Sequence, residues 1–153
     1  MLALLIVFTG LMAGVYFAFS AFIMQAFGQL PALQAGQAMN KINAVIVKTV
    51  FLPIFVGSTL WYAGLIVWAL LYWQPITSWL LISASAIYIF GMFFVTIFGN
   101  VPLNNILMVQ TNTESGLASY WQSYQDKWLT LNHIRTLSCI AACSLLSIAI
   151  TGN

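Results

Sequence analysis

Four apolar stretches, each long enough to cross a bilayer as a helix, constrain this chain more than any other feature. They cover residues 2–27, 42–72, 79–100 and 131–150, and a spanning helix needs about 20 predominantly apolar residues. Only 4% of the side chains are charged, whereas soluble domains carry about 25%. The sequence therefore predicts an all-α integral membrane protein, a four-helix transmembrane bundle forming one domain over residues 1–153.

A more polar segment at 113–130 separates the third and fourth apolar stretches. Leu117, Trp121, Tyr124 and Trp128 recur in it at i, i+4, i+7 and i+11, which is the spacing of one helical face. We therefore predict a short amphipathic interfacial helix between spans three and four. It serves either as an interfacial anchor or as a lid over a site.

Glycine and proline positions suggest how the helices pack and where they bend. Gly10 and Gly14 form a G-x-x-x-G pair, and such small faces allow another helix to approach closely. We expect packing on this face, with a homo-oligomer as one form of it, and a second close approach at Gly91. Pro53 predicts a kink in span two, and Pro102 predicts an interruption after span three.

The few charges favour one orientation in the membrane. Four spans place both termini on one side, and the Lys and Arg residues adjoin the loops after spans one and three. Positive residues favour the cytoplasmic side, so we expect these loops in the cytoplasm and the protein in the plasma membrane. We expect membrane lipids to surround the protein. It has too few positive charges for a nucleic-acid interface.

Polar side chains collect at one end of the predicted bundle. The ends of spans one and three share a membrane side with the starts of spans two and four. Polar groups at membrane depth usually face the bundle interior or a wet cavity. We therefore predict a polar pocket there, with an apolar floor and a partial cover ending at Trp128. The candidate residues are Gln25, Asn43, Asn100, Asn104, Asn132, His133 and Arg135.

His133 and Arg135 are the only histidine and the only arginine of the chain. One imidazole, one fixed cation and several carboxamides suit proton abstraction from an acidic organic ligand. We predict His133 as the general base and Arg135 as the partner of the resulting oxyanion. The carboxamides and Trp128 would contact the ligand. No metal site is predicted, because zinc and non-haem iron normally need about three protein ligands.

A structural interpretation of the same residues stands beside the catalytic one. Asparagines at helix ends can cap backbone groups, and Arg135 can extend to lipid phosphates. The protein would then be non-enzymatic, either an assembly subunit or a binder of lipid or another hydrophobic ligand. A tightly packed polar cluster without a cavity would favour this alternative.

Four sequence blocks occur in a definite order along almost the whole chain. They are Phe-Ser-Ala-Phe-Ile-Met at 19–24, Leu-Pro at 30–31 leading to Asn-Lys-Ile-Asn at 40–43, Asn-Val-Pro-Leu-Asn-Asn at 100–105, and Asn-His-Ile-Arg-Thr at 132–136 after Trp121 and Trp128. In order and spacing they resemble the anthrone oxygenase-like family of integral membrane proteins. The resemblance implies oxidation of an apolar, weakly acidic aromatic such as an anthrone. It also implies dioxygen as co-substrate and no bound cofactor.

Overall fold

Five helices make up the computed structural model, which describes residues 2–111 and 114–151. They are α1 (Leu2–Gly28), α2 (Ala32–Ile46), α3 (Phe51–Leu71), α4 (Pro75–Gln110) and α5 (Glu114–Thr151). Four of them, all but α2, contain stretches long and apolar enough to cross a membrane. The predicted all-α bundle with four spans is therefore confirmed, and the protein is an integral, multi-pass membrane protein.

Two of the helices are much longer than a bilayer requires. α4 has 36 residues and α5 has 38, so each is roughly 55 Å long at about 1.5 Å per residue, against about 30 Å of hydrocarbon. The segment at 113–130, predicted as a separate interfacial helix, is from Glu114 onward the first half of α5. No glycine or proline occurs between Leu117 and Thr151, so nothing in the sequence breaks this helix.

The second span is shorter than predicted, because a turn divides the stretch at 42–72. Residues predicted as a connection form α2 instead, and α2 buries Ala35 and Met39 on one face. The hydroxyl of Thr49 accepts a hydrogen bond from the Phe51 amide at the start of α3. Pro53 stands in the first turn of α3, where a proline needs no hydrogen-bond partner. The predicted kink is therefore a helix start.

Pro102 does not end α4. Two π-helical turns, at Ile89–Phe94 and Thr96–Asn100, precede it, and the second, which ends two residues before the proline, accommodates its missing amide donor. A similar turn at Phe19–Ile23 interrupts α1. Such turns often mark functional sites, and those at Thr96–Asn100 and Phe19–Ile23 carry residues of the site described below.

The glycines differ in what they pack against. A Cβ at Gly91 would overlap the Ser138 side chain, so the predicted close approach at Gly91 joins α4 to α5. A Cβ at Gly10 or Gly14 would meet no atom of the described chain within 4 Å. No described helix of this chain packs on that pair, and an oligomer through it stays a prediction.

Two clusters of buried side chains divide the bundle along its length. We call the part around the first the core half: Leu5, Met12, Phe55, Tyr62, Leu81, Tyr88, Cys139 and Leu146 belong to it. We call the part around the second the site half: Phe19, Met24, Met39, Leu107, Leu117, Trp121, Tyr124 and Trp128 belong to it. The stripe predicted in the polar segment is thus buried along its whole length, where it packs against α1, α2 and the end of α4.

Candidate functional site

A cavity of about 290 Å³ lies where the two halves meet. Its walls come from all five helices and are mainly apolar. Its polar lining consists of Tyr16, Asn43, Thr96, Asn100, Asn104, Asn105, Trp128 and Arg135. Five of the residues that line it are also exposed at the surface of the bundle: Val47, Leu52, Ile97, Val101 and Asn105. We call the gap between the first four of these side chains, which are aliphatic, the lateral opening.

Arg135 is the charged residue of this cavity. Its side chain is only 5% exposed, and its Nη2 donates to Asn132 Oδ1 at 2.7 Å. A longer bond of 3.4 Å joins Nη1 to Thr96 Oγ1. The guanidinium carbon lies 4.4 Å from the ring centre of Tyr16 and 5.0 Å from that of Trp128, within cation–π range. Arg135 is therefore held inside the bundle, and the interpretation that it extends to lipid phosphates is wrong.

No acidic side chain that the structure describes neutralises that cation. The chain has two acidic residues, Glu114 and Asp126, and both precede Arg135 on α5. Asp126, the nearer one, is about 2.5 helical turns away, roughly 13 Å along the axis, and it accepts a hydrogen bond from Gln122. A buried cation without an anionic partner is costly, so the cavity carries an uncompensated positive charge.

Four buried polar atoms on residues that line the cavity have no hydrogen-bond partner. They are Arg135 Nε, Trp128 Nε1, Asn43 Nδ2 and Asn100 Oδ1, which makes three donors and one acceptor. Buried polar atoms in folded proteins are nearly always paired. Three unpaired donors beside an uncompensated cation favour a ligand that carries a negatively charged oxygen.

The asparagines of the cavity connect helices to one another. Tyr124 Oη donates to Asn104 Oδ1 at 2.9 Å, and Asn104 Nδ2 donates to Asn43 Oδ1 at 3.2 Å. Asn100 Nδ2 donates to the Trp128 carbonyl at 3.2 Å. These bonds join α5, α4 and α2, and none of them caps a helix end. The capping interpretation therefore does not describe these three asparagines.

His133 lies outside the cavity. It is exposed on α5, and its Nδ1 is 3.0 Å from Ser20 Oγ on α1. The physical reason is its spacing from Arg135, because residues at i and i+2 point to different sides of a helix. Asn132 lies behind Arg135 and donates to Ser20 Oγ and to the Tyr16 carbonyl, each at 2.7 Å.

The predicted site residues are thus only partly brought together. The cavity lining includes Asn43, Asn100, Asn104, Trp128 and Arg135, and it does not include Gln25, Asn132 or His133. Gln25 is exposed near the end of α1.

Sequence reasoning missed Tyr16 and Thr96, which both line the cavity beside Arg135. Each stands one helical turn before a polar residue: Tyr16 before Ser20 of the first sequence block, and Thr96 before Asn100 of the predicted site. Residues spaced i, i+4 lie on the same helical face, so this periodicity could have pointed to both. No three His, Cys, Asp or Glu side chains in the described parts of the chain lie close enough to hold a metal ion.

Fold and site together define a multi-pass helical membrane protein with a buried, positively charged cavity of ligand size. Residues 43–145 match the family model described as Anthrone oxygenase. Because the match covers more than half of the chain, the chain belongs to this family, and the resemblance of the sequence blocks is confirmed. The family suggests an oxygenase-like role. No curated protein and no solved structure matches the chain.

Proposed function

We propose that the protein oxidises an apolar, weakly acidic aromatic such as an anthrone, with dioxygen as co-substrate and without a bound cofactor. One observation carries the proposal: Arg135 is a buried cation without a carboxylate partner, and it faces a cavity with unpaired donors. In the reaction the methylene carbon of an anthrone loses two hydrogens and gains one oxygen atom as a carbonyl. The second oxygen atom of dioxygen leaves as water.

The first step is the loss of a methylene proton, which gives an enolate with its negative charge mainly on oxygen. Arg135 holds this oxygen, and the free donors of Asn43 and Trp128 contribute further hydrogen bonds. Donors fixed in place within a water-poor site stabilise an oxyanion more than water does. The electron-rich carbon of the enolate then reacts with dioxygen. The protein binds the ligand and stabilises its ionised form.

The remaining walls of the cavity suit a flat, apolar ring system. Phe19, Phe51 and Phe55 line it together with aliphatic side chains of α2 and α4. Its volume of about 290 Å³ lies near the lower end of the range for small-molecule sites, which begins at about 300 Å³. The ligand is therefore small and rigid, and its oxygen points toward Arg135.

We propose that water near the cavity accepts the methylene proton, and that His133 does not accept it directly. A general base must lie within hydrogen-bonding distance of the proton or reach it through one water. The His133 ring is hydrogen-bonded to Ser20 outside the cavity lining, so the geometry supports no direct transfer. The predicted role of His133 as base is tested separately below.

We also propose that the site half faces the cytoplasm in a plasma membrane. Lys41, Lys48 and Lys127 are exposed in α2, in the turn before α3 and in the first half of α5. All three belong to the end of the molecule that contains the site half. Positive side chains are enriched on the cytoplasmic side of membranes, which supports this orientation.

The test is oxygen uptake by the purified protein with a panel of anthrones. Wild type should consume one dioxygen for each anthraquinone formed. Arg135→Met should lower kcat/KM by about 100-fold or more, the usual effect of removing an oxyanion donor.

Lys127→Met is the matched control, because it also removes a cation from α5 but outside the cavity lining. It should stay within about twofold of wild type, since an exposed charge contributes little at a distance. If wild type oxidises no anthrone, the proposal is wrong. The non-enzymatic alternative, a ligand-binding or assembly protein, would then be preferred.

A further inference from the structure

The buried part of the cavity lining lies on two sides. On the side of the site half it includes Phe19, Met39 and Trp128, and on the side of the core half it includes Tyr16 and Phe55. The lining side chains that are exposed belong to the turn before α3, to the first turn of α3, and to residues 97–105 of α4.

We propose that the ligand enters and leaves the cavity from the lipid bilayer through the lateral opening between α3 and α4. The four side chains of this opening, Val47, Leu52, Ile97 and Val101, are 38–52% exposed. All four are aliphatic, so an apolar ligand can pass between them. Asn105, one turn after Val101 on α4, is the exposed polar residue at the edge of this passage. This inference rests on the proposed function, because it takes its ligand class from it.

The depth of the lateral opening in the membrane follows from the length of α3. α3 has 21 residues, which at about 1.5 Å each span roughly 31 Å, close to the hydrocarbon thickness of about 30 Å. Leu52, in its first turn, therefore lies at the boundary between hydrocarbon and headgroups. Lys48 is exposed in the preceding turn, where its ammonium group reaches the headgroups.

That boundary is where an aromatic with one polar oxygen concentrates. Amphipathic rings such as those of Trp and Tyr accumulate at the headgroup level for the same reason. A neutral ligand can pass the apolar lateral opening and ionise only beside Arg135, since the uncompensated cation lies inside. The opening thus selects neutral, lipid-dissolved molecules, and the cavity then stabilises their anions.

The experiment measures how fast anthraquinone binds to and leaves the full chain in lipid vesicles. Anthraquinone is the unreactive product of the proposed oxidation, and quenching of tryptophan fluorescence reports its binding next to Trp128. Leu52→Phe and Val101→Phe each narrow the lateral opening from a different helix without adding a tryptophan. We expect the entry rate and the exit rate both to fall by about tenfold, because a narrowed passage slows entry and exit alike.

Val56→Phe is the matched control. Val56 is 42% exposed one turn further along α3 and does not line the cavity, so both rates should match wild type. In wild type, the rate of binding should depend on the amount of ligand per lipid when more vesicles are added. Unchanged rates in both opening variants, or a rate that follows the aqueous concentration, would overturn lateral entry. If either result is found and wild type still oxidises anthrones, the proposed function stands without lateral entry. If wild type neither binds anthraquinone nor oxidises anthrones, both proposals are wrong.

Discussion

The two halves of the bundle differ in how completely their buried polar groups are paired. In the core half, Thr9 bonds to Tyr62 at 2.9 Å and Ser58 to Tyr88 at 2.7 Å. Among the described residues, the buried side-chain atoms without a partner all belong to the site half or to the cavity beside it. They are found on Asn43, Asn100, Tyr120, Trp121, Trp128 and Arg135.

This difference separates the part that holds the bundle together from the part that the proposed ligand would complete. Each unpaired buried group costs about 1–3 kcal/mol of stability. The core half has none in the described chain, so its polar pairs serve packing and helix registration. Four of the unpaired groups, on Asn43, Asn100, Trp128 and Arg135, belong to residues that line the cavity.

The largest effect on stability should come from the close contact of α4 with α5. Gly91→Ala places a methyl group into the Ser138 side chain and should lower the free energy of unfolding by about 1–3 kcal/mol. Thermal unfolding in detergent measures it. Gly10→Ala should change the free energy of unfolding by less than about 0.5 kcal/mol, because no atom of the described chain lies near that position. If Ser138→Gly does not restore the stability of the Gly91→Ala protein, the assigned overlap is not the cause.

Two substitutions, one in each half, should have different effects on stability and on ligand binding. Tyr88→Phe removes the hydroxyl that bonds to Ser58 and should cost about 1 kcal/mol, without changing the affinity for anthraquinone. Asn43→Leu removes the unpaired Nδ2 together with the bond to Asn104. It should therefore change stability by less than about 1 kcal/mol, while weakening ligand binding because a free donor is lost. Unfolding and binding measured on both variants check this. Equal losses of stability would contradict the distinction between the halves.

The smallest effect is expected from the exposed imidazole. Because His133 lies outside the cavity, His133→Ala should lower oxygen uptake by less than about threefold, whereas loss of a true general base costs about 100-fold or more. Ser20→Ala, which removes the hydroxyl next to His133, serves as the comparison. A loss as large as that of Arg135→Met would mean that the imidazole does take the ligand's proton.

Much of the site was accessible from the sequence because its signals are local. Asn43, Asn100, Asn104 and Arg135 could be assigned to one end of the bundle from the order of the spans alone. Their convergence in one cavity follows from helices that run antiparallel. The separation of His133 from Arg135 was also accessible, since a spacing of two residues on a helix directs their side chains to different sides.

Hydropathy and helical periodicity determined by themselves that this is a four-span bundle with one polar end and one apolar helical face between residues 117 and 128, because both depend only on neighbouring residues. Only the tertiary structure decided that α4 continues through Pro102 and that Arg135 lies inside without an acidic partner. It also decided that the cavity opens sideways. These features depend on which side chains of distant segments meet, and a pattern along one chain does not contain that information.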